Sequence, residues 1–410
     1  MNDVVKTTIP IRIECDEADS GDGAMWNIKT AIDERLGFSI GDIGVYEFDG
    51  YSDFPEELMS AVIRTLEEIG EFERKDDLYI IELNIVSGGN KLGRASRRFY
   101  GHQIHPRKKF QIIEIPDDVP REQEQMGTKF KFWYFDEQHG YCLFKEGHPN
   151  TGEDWAERVA AELWELLEMP HAIYKLAAWR DKRGIITQNF LGENEESSAG
   201  NIVLSRLDAD YPKEEKKSKK HTIENIIAAF ESLAVQPTKE AAPPEITTAK
   251  QIFLGYLMLD AWIGNTDRHH ENWATVRRVE DGVLTDRLAP THDHAASLGC
   301  ILLDNEKREK LTTRDKNRTV ETYAASPKAR SAIFENETDT KPLPLIEAFR
   351  AASAHNPQAS KIWLKKLENV TIEAVREVFE RIPEERISEV SKEFSIRMLE
   401  INRQRLLELI

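Results

Sequence analysis

The sequence predicts an α+β protein of two or three domains. Its 410 residues compare with roughly 150 in a typical domain, so the chain is long enough to bury sizeable cores. Strand-like and helix-like stretches occur together in its first part, and a proline- and acid-rich segment at residues 115–125 then breaks the pattern. Apolar residues make up 40% and charged residues 31% of the chain, which is typical of globular proteins and excludes a disordered or fibrous class.

Net charge limits the partners that we expect. The chain has 55 lysine and arginine residues against 73 aspartate and glutamate residues, which gives a net charge of −18. An acidic chain repels the phosphates of nucleic acids and of anionic lipids. We therefore expect no direct nucleic-acid partner and no membrane partner.

Cysteine usage and the apolar runs predict a cytoplasmic protein. Cys15, Cys142 and Cys300 lie far apart, and such a sparse set is typical of a reducing compartment rather than of a disulfide framework or a zinc cage. The first residues lack the basic and apolar regions of a secretory signal. The apolar stretch at residues 252–264 contains Asp260 and is shorter than the roughly 20 residues that a membrane span needs.

Residues 1–115 are predicted to form an N-terminal α+β accessory domain of unknown role. Strand-like runs at residues 8–13, 43–46 and 78–85 accompany a helical pattern at residues 54–73. The sequence SGGNKLG, which begins at Ser87, lacks the GxxxxGK(S/T) spacing of a phosphate loop, so we interpret it as a plain turn.

Residues 116–215 are predicted to form a smaller, sheet-rich domain. Alternating runs at residues 129–135 and 141–145 flank the turn DEQHG, which indicates a hairpin. Thr151 and Asp154 have the spacing of a capping box, which predicts a helix that extends to about residue 168. A second hairpin is expected at residues 172–191, and a lysine-rich loop at residues 213–221.

Residues 216–410 are predicted to be mainly helical, with helices at residues 222–234 and 247–262. Directly after the second helix the chain reads GNTDRHHENW, and beyond a predicted hairpin it reads THDHAASLG. A hairpin between the two loops can bring their polar groups side by side.

Three of these polar residues have the spacing that phosphoryl transfer uses. Asn272 lies five residues after Asp267, and Asp293 lies 21 residues after Asn272. One carboxylate can accept the proton of an attacking hydroxyl, while an amide oxygen and a second carboxylate can hold Mg²⁺ at the phosphates of ATP. Kinases contain the same Asp-x-x-x-x-Asn step followed by a metal-binding aspartate. The alternative interpretation is that Asp267 and Asn272 only cap loop turns.

A kinase also requires a lysine for the ATP phosphates and a glutamate that holds this lysine. Lys145 ends a predicted strand, immediately before the helix that can supply the glutamate. Helical geometry slightly favours Glu162 over Glu157, because Glu162 lies nearer to the apolar face of the helix. A solvated position is the alternative for all three side chains.

These motifs resemble those of the HipA-like kinases, a bacterial family distantly related to protein and phosphatidylinositol kinases. The resemblance rests on GNTDRHHEN and THDHAASLG, together with the GTKFKFW and YCLFK of the first hairpin, and spans roughly residues 120–330. It implies an α+β, two-lobed protein-kinase-like fold with a small lobe at residues 116–215 and a mainly helical large lobe at residues 216–410. Residues 1–115 resemble nothing in the family.

The resemblance also implies roles for single residues. By it, Asp267 is the catalytic base, Asn272 and Asp293 are the Mg²⁺ ligands, and Lys145 holds the ATP phosphates. The family register of the helix favours Glu157 as the partner of Lys145, and we adopt Glu157.

The segment at residues 127–131 matches the nucleotide-covering loop of the family. This match implies ATP contacts from four residues: Gly127, Thr128, Lys129 and Lys131. The segment has one glycine and Thr128 where family members carry a serine-rich phosphate loop. His269 and His294 are expected to orient the two polar loops without touching the reacting groups.

The activity that the resemblance implies is transfer of a phosphoryl group from ATP, with Mg²⁺, to a serine or threonine of a protein. Family members often act as toxins, phosphorylate a protein such as an aminoacyl-tRNA synthetase or another translation factor, and have a separate DNA-binding antitoxin as partner. A role in defence or stress signalling follows from the same resemblance. The D-R-H order at residues 267–269 is nearer to that of lipid kinases, so a phosphatidylinositol-type lipid kinase is an alternative.

Two further alternatives belong to other functional classes. The histidine pairs His269–His270 and His292–His294, with nearby aspartates, suggest a metal-dependent phosphohydrolase, although the chain lacks HExxH spacing. A non-catalytic nucleotide-binding module would keep the fold without the chemistry, but all four expected polar groups occur in the sequence.

Residues 301–325 follow Asp293 where the activation segment of a kinase lies. Thr312 and Thr313 are candidate phosphorylation sites there, because Arg314 and Lys316 lie next to them and a phosphate could order the segment. The favoured interpretation is a solvated, charged loop.

Overall fold

The structure, a computed structural model, describes residues 6–18, 24–33, 38–41, 44–48, 77–87, 90–101, 109–123, 129–192, 194–238, 242–280 and 282–409. The chain divides into two compact units, Met1–Lys108 and Lys109–Ile410. Within the described ranges, none of the helices combines the length and the apolar character that crossing a membrane requires.

The first unit contains a six-stranded sheet. Its strands are β1 (Lys6–Ala18), β2 (Ala24–Asp33), β3 (Phe38–Gly41), β4 (Gly44–Phe48), β5 (Asp77–Ser87) and β6 (Asn90–Gly101). Strand β1 pairs antiparallel with β2 and parallel with β5, while β3 and β4 pair with β2 and β6 pairs with β5. The predicted strand runs overlap β1, β4 and β5, and the helix predicted at residues 54–73 lies outside the described residues.

A second six-stranded sheet, in the order β7-β11-β12-β10-β9-β8, lies in the second unit. Its strands are β7 (Ile113–Ile115), β8 (Glu122–Gln123), β9 (Lys131–Asp136), β10 (Gly140–Glu146), β11 (Tyr174–Trp179) and β12 (Lys182–Gln188). The predicted hairpins are the antiparallel pairs β9–β10 and β11–β12. Phe132 and Tyr134 alternate into the core and pack with Phe144 and Trp179. Because β7 pairs with β11, this sheet begins within the range that the sequence assigned to the first domain.

Helix α1 (Glu153–Leu166) follows the hairpin β9–β10, but the predicted capping box is wrong. The N-cap is Gly152, and the Thr151 hydroxyl donates to the carbonyl of His148 at 2.8 Å instead of capping the helix. A Cβ atom at residue 152 would lie 2.0 Å from Nε1 of Trp155, so the indole covers the helix start and leaves room only for glycine.

The other helices pack around one extended core. They are α2 (Gly200–Ser205), α3 (Ile223–Ser232), α4 (Ala249–Ile263), α5 (Asp304–Thr312), α6 (Val320–Ala324), α7 (Leu345–His355), α8 (Pro357–Asn369), α9 (Ile372–Glu380) and α10 (Glu389–Leu407). Helix α4 is almost wholly buried and packs against α7, α8 and α10. The expectation of a loop at residues 301–325 is wrong in part, because α5 and α6 form there. The Glu306 side chain stabilises the start of α5 by accepting the backbone N–H of Leu303 at 2.8 Å.

A three-stranded sheet comprises β13 (Glu195–Ala199), β14 (Ala274–Glu280) and β15 (Val283–Leu288). Strands β14 and β15 are the predicted hairpin, whereas β13 carries no apolar alternation that would predict it. Helix α4 ends at Gly264, whose φ of +71° lies in the left-handed region that favours glycine. The chain therefore turns sharply from the buried helix into the first polar loop.

Candidate active site

The two polar loops predicted from the sequence lie side by side, one after α4 and the other after β15. Nη1 of Arg268 donates to the carbonyl of Asn272 at 2.6 Å and lies 3.4 Å from the carbonyl of His292. One guanidinium nitrogen thus connects both loops.

Asp260 of α4 holds this guanidinium. Both side chains are buried, with Arg268 0% exposed, and two charge-assisted hydrogen bonds of 2.7 and 2.9 Å join them. Nη2 of Arg268 also donates to the hydroxyl of Thr291 at 3.0 Å. Arg268 is not among the residues predicted from the sequence, although Asp260 indicates such a residue, because a carboxylate inside an apolar helix requires a buried cation.

Asp267 presents its carboxylate toward solvent, with 55% of the side chain exposed. The amide nitrogen of Asn272 donates to the Asp267 carbonyl at 2.6 Å and lies 3.2 Å from its carboxylate, while the Asp267 N–H donates to the side chain of Asn265 at 3.1 Å. Because the amide nitrogen of Asn272 makes these contacts, its amide oxygen is the atom left to accept a further ligand.

The buried ring of His269 lies beside the carboxylate of Asp267. Its Nδ1 accepts the N–H of Glu271 at 3.2 Å, so the neutral ring carries its proton on Nε2, 3.7 Å from the Asp267 carboxylate. Burial lowers the pKa of His269, although the charge on Asp267 opposes this shift. The neutral ring can therefore orient Asp267 without adding a positive charge.

Lys145, near the end of β10, forms an ion pair with Asp293. Asp293 has a φ of +58°, a left-handed conformation that aspartate tolerates better than most residues, and its N–H donates to the Tyr174 hydroxyl at 3.1 Å. Burial acts to raise the pKa of Asp293, but Lys145 and His292 lower it below its ordinary value. The carboxylate is therefore ionised at neutral pH.

Glu157 and Glu162 of α1 lie in different surroundings. Glu157 is 1% exposed and accepts the backbone N–H of His294 at 2.8 and 2.9 Å. Burial and the charge on Asp293 raise the pKa of Glu157 to about 7, and Lys145 opposes this rise. Glu162 instead pairs with Arg158 and, at 2.6 Å, with Arg381. Glu157 thus lies near the Lys145–Asp293 pair, whereas Glu162 forms ion pairs with two arginines.

His294 is buried against the ring of Trp164 and adjoins both Arg268 and Glu157. An arginine can only donate, so Nε2 of His294, 2.5 Å from Nη2 of Arg268, accepts. The ring proton is then on Nδ1, 3.5 Å from the Glu157 carboxylate. Burial and the Arg268 charge hold the pKa of His294 well below its ordinary value. Neutral His294 therefore connects the arginine to the glutamate that fixes the Asp293 loop.

Replacing Gly184 by alanine is expected to lower the free energy of unfolding by about 1–3 kcal/mol, because the strand next to β10 would be overpacked. A Cβ atom at residue 184 would lie 2.1 Å from the carbonyl oxygen of Lys145 and 2.9 Å from the Phe144 ring. Urea unfolding would measure the loss. Gly147→Ala is the matched control, since its Cβ would meet nothing closer than 3.7 Å, and equal stability of the two variants would refute the close-packing argument.

A buried network of hydrogen-bonded rings includes His270 and Trp273 of the first polar loop. The Tyr211 hydroxyl and Nδ1 of His270 are hydrogen-bonded at 2.8 Å. Trp273 donates to Nε2 of His221 at 3.1 Å, and Nδ1 of His221 donates to the Ala332 carbonyl at 2.9 Å. Burial lowers the pKa of His270 to about 4 and that of His221 to about 3, so both rings are neutral in the folded protein.

Stability is therefore expected to rise as the pH increases from 4 to 6.5. Below 6.5 the unfolded chain gains protons that the buried, neutral histidines do not bind, so acid favours unfolding. For His270 the contribution is on the order of 3 kcal/mol, whereas Glu157, with its raised pKa, contributes with the opposite sign as the pH rises from 4.5 to about 7. Urea unfolding across this range would measure the slope. His270→Gln should flatten it, exposed His355→Gln should not, and equal slopes in both variants would contradict the assignment.

The other predicted nucleotide contacts are only partly described. Gly127 and Thr128 lie outside the described residues. Lys129 forms an ion pair of 2.9 Å with Glu153 at the start of α1, and Lys131 lies directly opposite Lys145 on the neighbouring strand. Both lysines thus lie on the part of the chain that leads from the predicted nucleotide loop into the sheet.

Thr312 and Thr313 lie at the C-terminal end of α5. The Thr312 hydroxyl is exposed and donates to the Arg308 carbonyl at 2.8 Å, while the Thr313 hydroxyl accepts the N–H of Asp315 at 3.1 Å. A phosphate on Thr312 would therefore be added at a helix end rather than within a loop.

The four histidines of the two loops do not converge. His270 and His294 bind the partners given above, and Nδ1 of His292 donates to the carbonyl of Pro290 at 2.9 Å. In the parts of the chain that the structure covers, no group of three or more His, Cys, Asp or Glu side chains could hold a metal ion. This geometry does not favour a zinc-dependent phosphohydrolase.

The oxygen atoms at the two loops do fit Mg²⁺ bound together with a nucleotide. Mg²⁺ prefers oxygen ligands and is typically held by one or two protein groups, with phosphates and water completing its octahedron. The amide oxygen of Asn272 and the ionised carboxylate of Asp293 provide two such groups on neighbouring loops.

Comparison with solved structures finds kinases. A proinflammatory kinase of Helicobacter pylori, CtkA, aligns with a TM-score of 0.56 and 16% identity, covering 73% of this chain and 100% of that chain. HipA of Shewanella oneidensis MR-1, solved with HipB and operator DNA, aligns with a TM-score of 0.39 and 10% identity over 73% and 67% of the two chains. The Golgi casein kinase aligns with a TM-score of 0.33 and 12% identity over 73% of each chain. No protein-family model and no curated protein matches the sequence.

The fold assignment rests on CtkA, because its alignment spans the whole of that chain and has a TM-score above 0.5. In the present chain, tertiary contacts bring together Lys145 of the second six-stranded sheet, Glu157 of α1 and the two polar loops. This chain therefore shares the α+β fold of the kinase CtkA, which confirms the kinase-like fold class that its sequence predicted.

Proposed function

We propose that this chain is a kinase that uses ATP with Mg²⁺ and phosphorylates a serine or threonine of a protein. The observation that carries this proposal is the connection made by Arg268, which joins the loop of Asp267 and Asn272 to the loop that precedes Asp293. Lys145 reaches the same place from the sheet through its ion pair with Asp293. The side-chain types that phosphoryl transfer needs are therefore brought together by tertiary contacts.

In this proposal, Asp267 accepts the proton of the acceptor hydroxyl. A bond forms between that oxygen and the γ-phosphorus while the bond from the γ-phosphorus to the bridging oxygen of ADP breaks, and the proton passes through Asp267 to solvent. The exposed carboxylate is accessible to a bulky acceptor, and contacts from Asn272 and His269 orient it. Such positioned proton transfer contributes roughly 10²- to 10⁴-fold to the rate.

Other residues would hold the phosphates of ATP. Lys145 would contact the α- and β-phosphates, and its ion pair with Asp293 would weaken. Asn272 and Asp293 would hold Mg²⁺. The bound Mg²⁺ would neutralise charge on the transferring phosphate. Glu157 would keep Asp293 in position by accepting the N–H of His294.

The resemblance to HipA-like kinases extends the proposal to partners. We propose a cytoplasmic protein acceptor, such as an aminoacyl-tRNA synthetase or another translation factor, and a separate antitoxin protein that restrains the kinase. A toxin-like role in defence or stress signalling belongs to the same proposal.

Transfer of label from γ-labelled ATP into a cell lysate tests the activity. The intact chain should label a protein band, and the Asp293→Ala protein should not. Equal labelling by both proteins would refute the proposed site, and label confined to the lipid fraction would indicate a lipid kinase instead. Mass spectrometry of the kinase after the reaction would show whether Thr312 or Thr313 carries phosphate.

A further inference from the structure

A lysine-rich segment lies beside the loop that carries Asp267. Residues 213–221 contain five lysines and two glutamates, in a chain whose net charge is −18. Four of these lysines, Lys213, Lys216, Lys217 and Lys219, are exposed. A local excess of positive charge on an otherwise acidic protein attracts anionic groups to that part of the surface.

Hydrogen bonds fix the segment to the first polar loop. The backbone N–H of Asn201 donates to the carbonyl of His270 at 3.0 Å, and the side-chain amide of Asn201 donates to the carbonyl of Lys213 at 3.0 Å. Tyr211, just before the segment, is hydrogen-bonded to the His270 ring, and Ser218 within it is buried. The backbone that carries the lysines is thus positioned relative to the loop.

Lys216 connects this segment with Asp267 through three consecutive contacts. Its Nζ lies 3.4 Å from the carboxylate of Glu271. That carboxylate lies 3.9 Å from Nδ1 of His269, whose Nε2 lies 3.7 Å from Asp267. These contacts place the segment beside the loop of Asp267. Its exposed lysines can therefore attract a charged part of an acceptor bound there, within the Debye length of about 8 Å at physiological ionic strength.

We propose that this lysine-rich segment binds an acidic stretch of the protein acceptor, next to the serine or threonine that is phosphorylated. The proposal rests on the kinase function given above and adds the chemical class of its substrate. A peptide fits better than a nucleic acid for two reasons. The chain as a whole repels a long polyanion, and the apolar side chains of Ile202 and Leu207, each 41% exposed, lie within a few residues of Asn201 and can contact peptide side chains.

Two sets of synthetic peptides provide the test. All contain one central serine, flanked by glutamates in one set and by lysines in the other. The intact chain should phosphorylate the glutamate set with a higher kcat/KM. In the triple variant Lys213→Glu, Lys217→Glu and Lys219→Glu, KM for the glutamate set should rise about tenfold with kcat unchanged, because rim charges act mainly on encounter and binding. Lys216 is left in place because it contacts Glu271 of the first polar loop.

A second triple variant, Lys328→Glu, Lys341→Glu and Lys361→Glu, is the matched control. These lysines are also exposed, and the change in net charge is the same. This variant should retain the wild-type KM. An equal rise in KM in both variants would show that net charge alone causes the effect and would overturn the proposal. The proposal would also be overturned if the wild-type protein showed no preference for the glutamate set.

Failure of this proposal is distinguishable from failure of the kinase function. ADP release from ATP in the intact chain, with Asp293→Asn as the blank, reports phosphate chemistry without any peptide. If the intact chain releases ADP but shows no peptide preference, only the acidic-acceptor proposal is refuted. If the intact chain releases no more ADP than the blank, the kinase function is refuted. Binding of a single-stranded RNA oligonucleotide that the first triple variant abolishes and the second retains would assign the segment to nucleic acid and overturn the proposal.

Discussion

The Asp267→Asn protein is expected to lose phosphoryl transfer by roughly 10²- to 10⁴-fold, because an amide cannot accept the proton of the acceptor hydroxyl. Its affinity for ATP should be unchanged. The substitution keeps the side-chain size, and among the described residues the carboxylate makes polar contacts with Asn272 and His269, at distances of 3.2 and 3.7 Å. Labelled transfer to protein measures the first effect, and calorimetric titration with ATP measures the second.

Asp181→Asn, at an exposed aspartate in the turn between β11 and β12, is the control and should transfer phosphate at the wild-type rate. Undiminished transfer by the Asp267→Asn protein would exclude Asp267 as the base. Loss of ATP binding together with transfer would instead assign Asp267 to the nucleotide site.

The Asp260→Asn protein is expected to lose about 3–5 kcal/mol of unfolding free energy, because the substitution leaves the buried guanidinium of Arg268 without its carboxylate. Urea unfolding followed by tryptophan fluorescence measures this loss. Transfer should be lost as well, since Arg268 holds the carbonyl of Asn272 and contacts the loop of Asp293.

Two further variants separate the stabilising role of this ion pair from its positioning role. Glu321→Gln breaks an exposed pair with Arg397 and should cost at most about 1 kcal/mol. The double variant Asp260→Leu, Arg268→Met should recover stability, since apolar residues can replace a buried ion pair, but it should not recover transfer. Recovery of both would show that Arg268 does not position the loops.

Sequence reasoning was most successful where structure depends on local pattern. The alternation in β9 and β10 and the turns between strands predicted both hairpins of the second sheet, and continuous apolar character predicted α4. It failed at β13, whose residues have no alternation and are held by pairing with β14. It also failed at the start of α1, where Trp155 packs over Gly152.

The sequence by itself determined the set of candidate reactive groups, since Asp267, Asn272 and Asp293 are recognisable by residue type and spacing along two loops. Only the tertiary structure separated the surroundings of Glu157 from those of Glu162. Both lie on α1, but the backbone of the Asp293 loop packs against Glu157, whereas Glu162 pairs with Arg158 of the same helix and with Arg381 from a distant part of the chain. Arg268 likewise gains its role only when α4 and both loops enclose it, because a buried charge is held by partners distant in sequence.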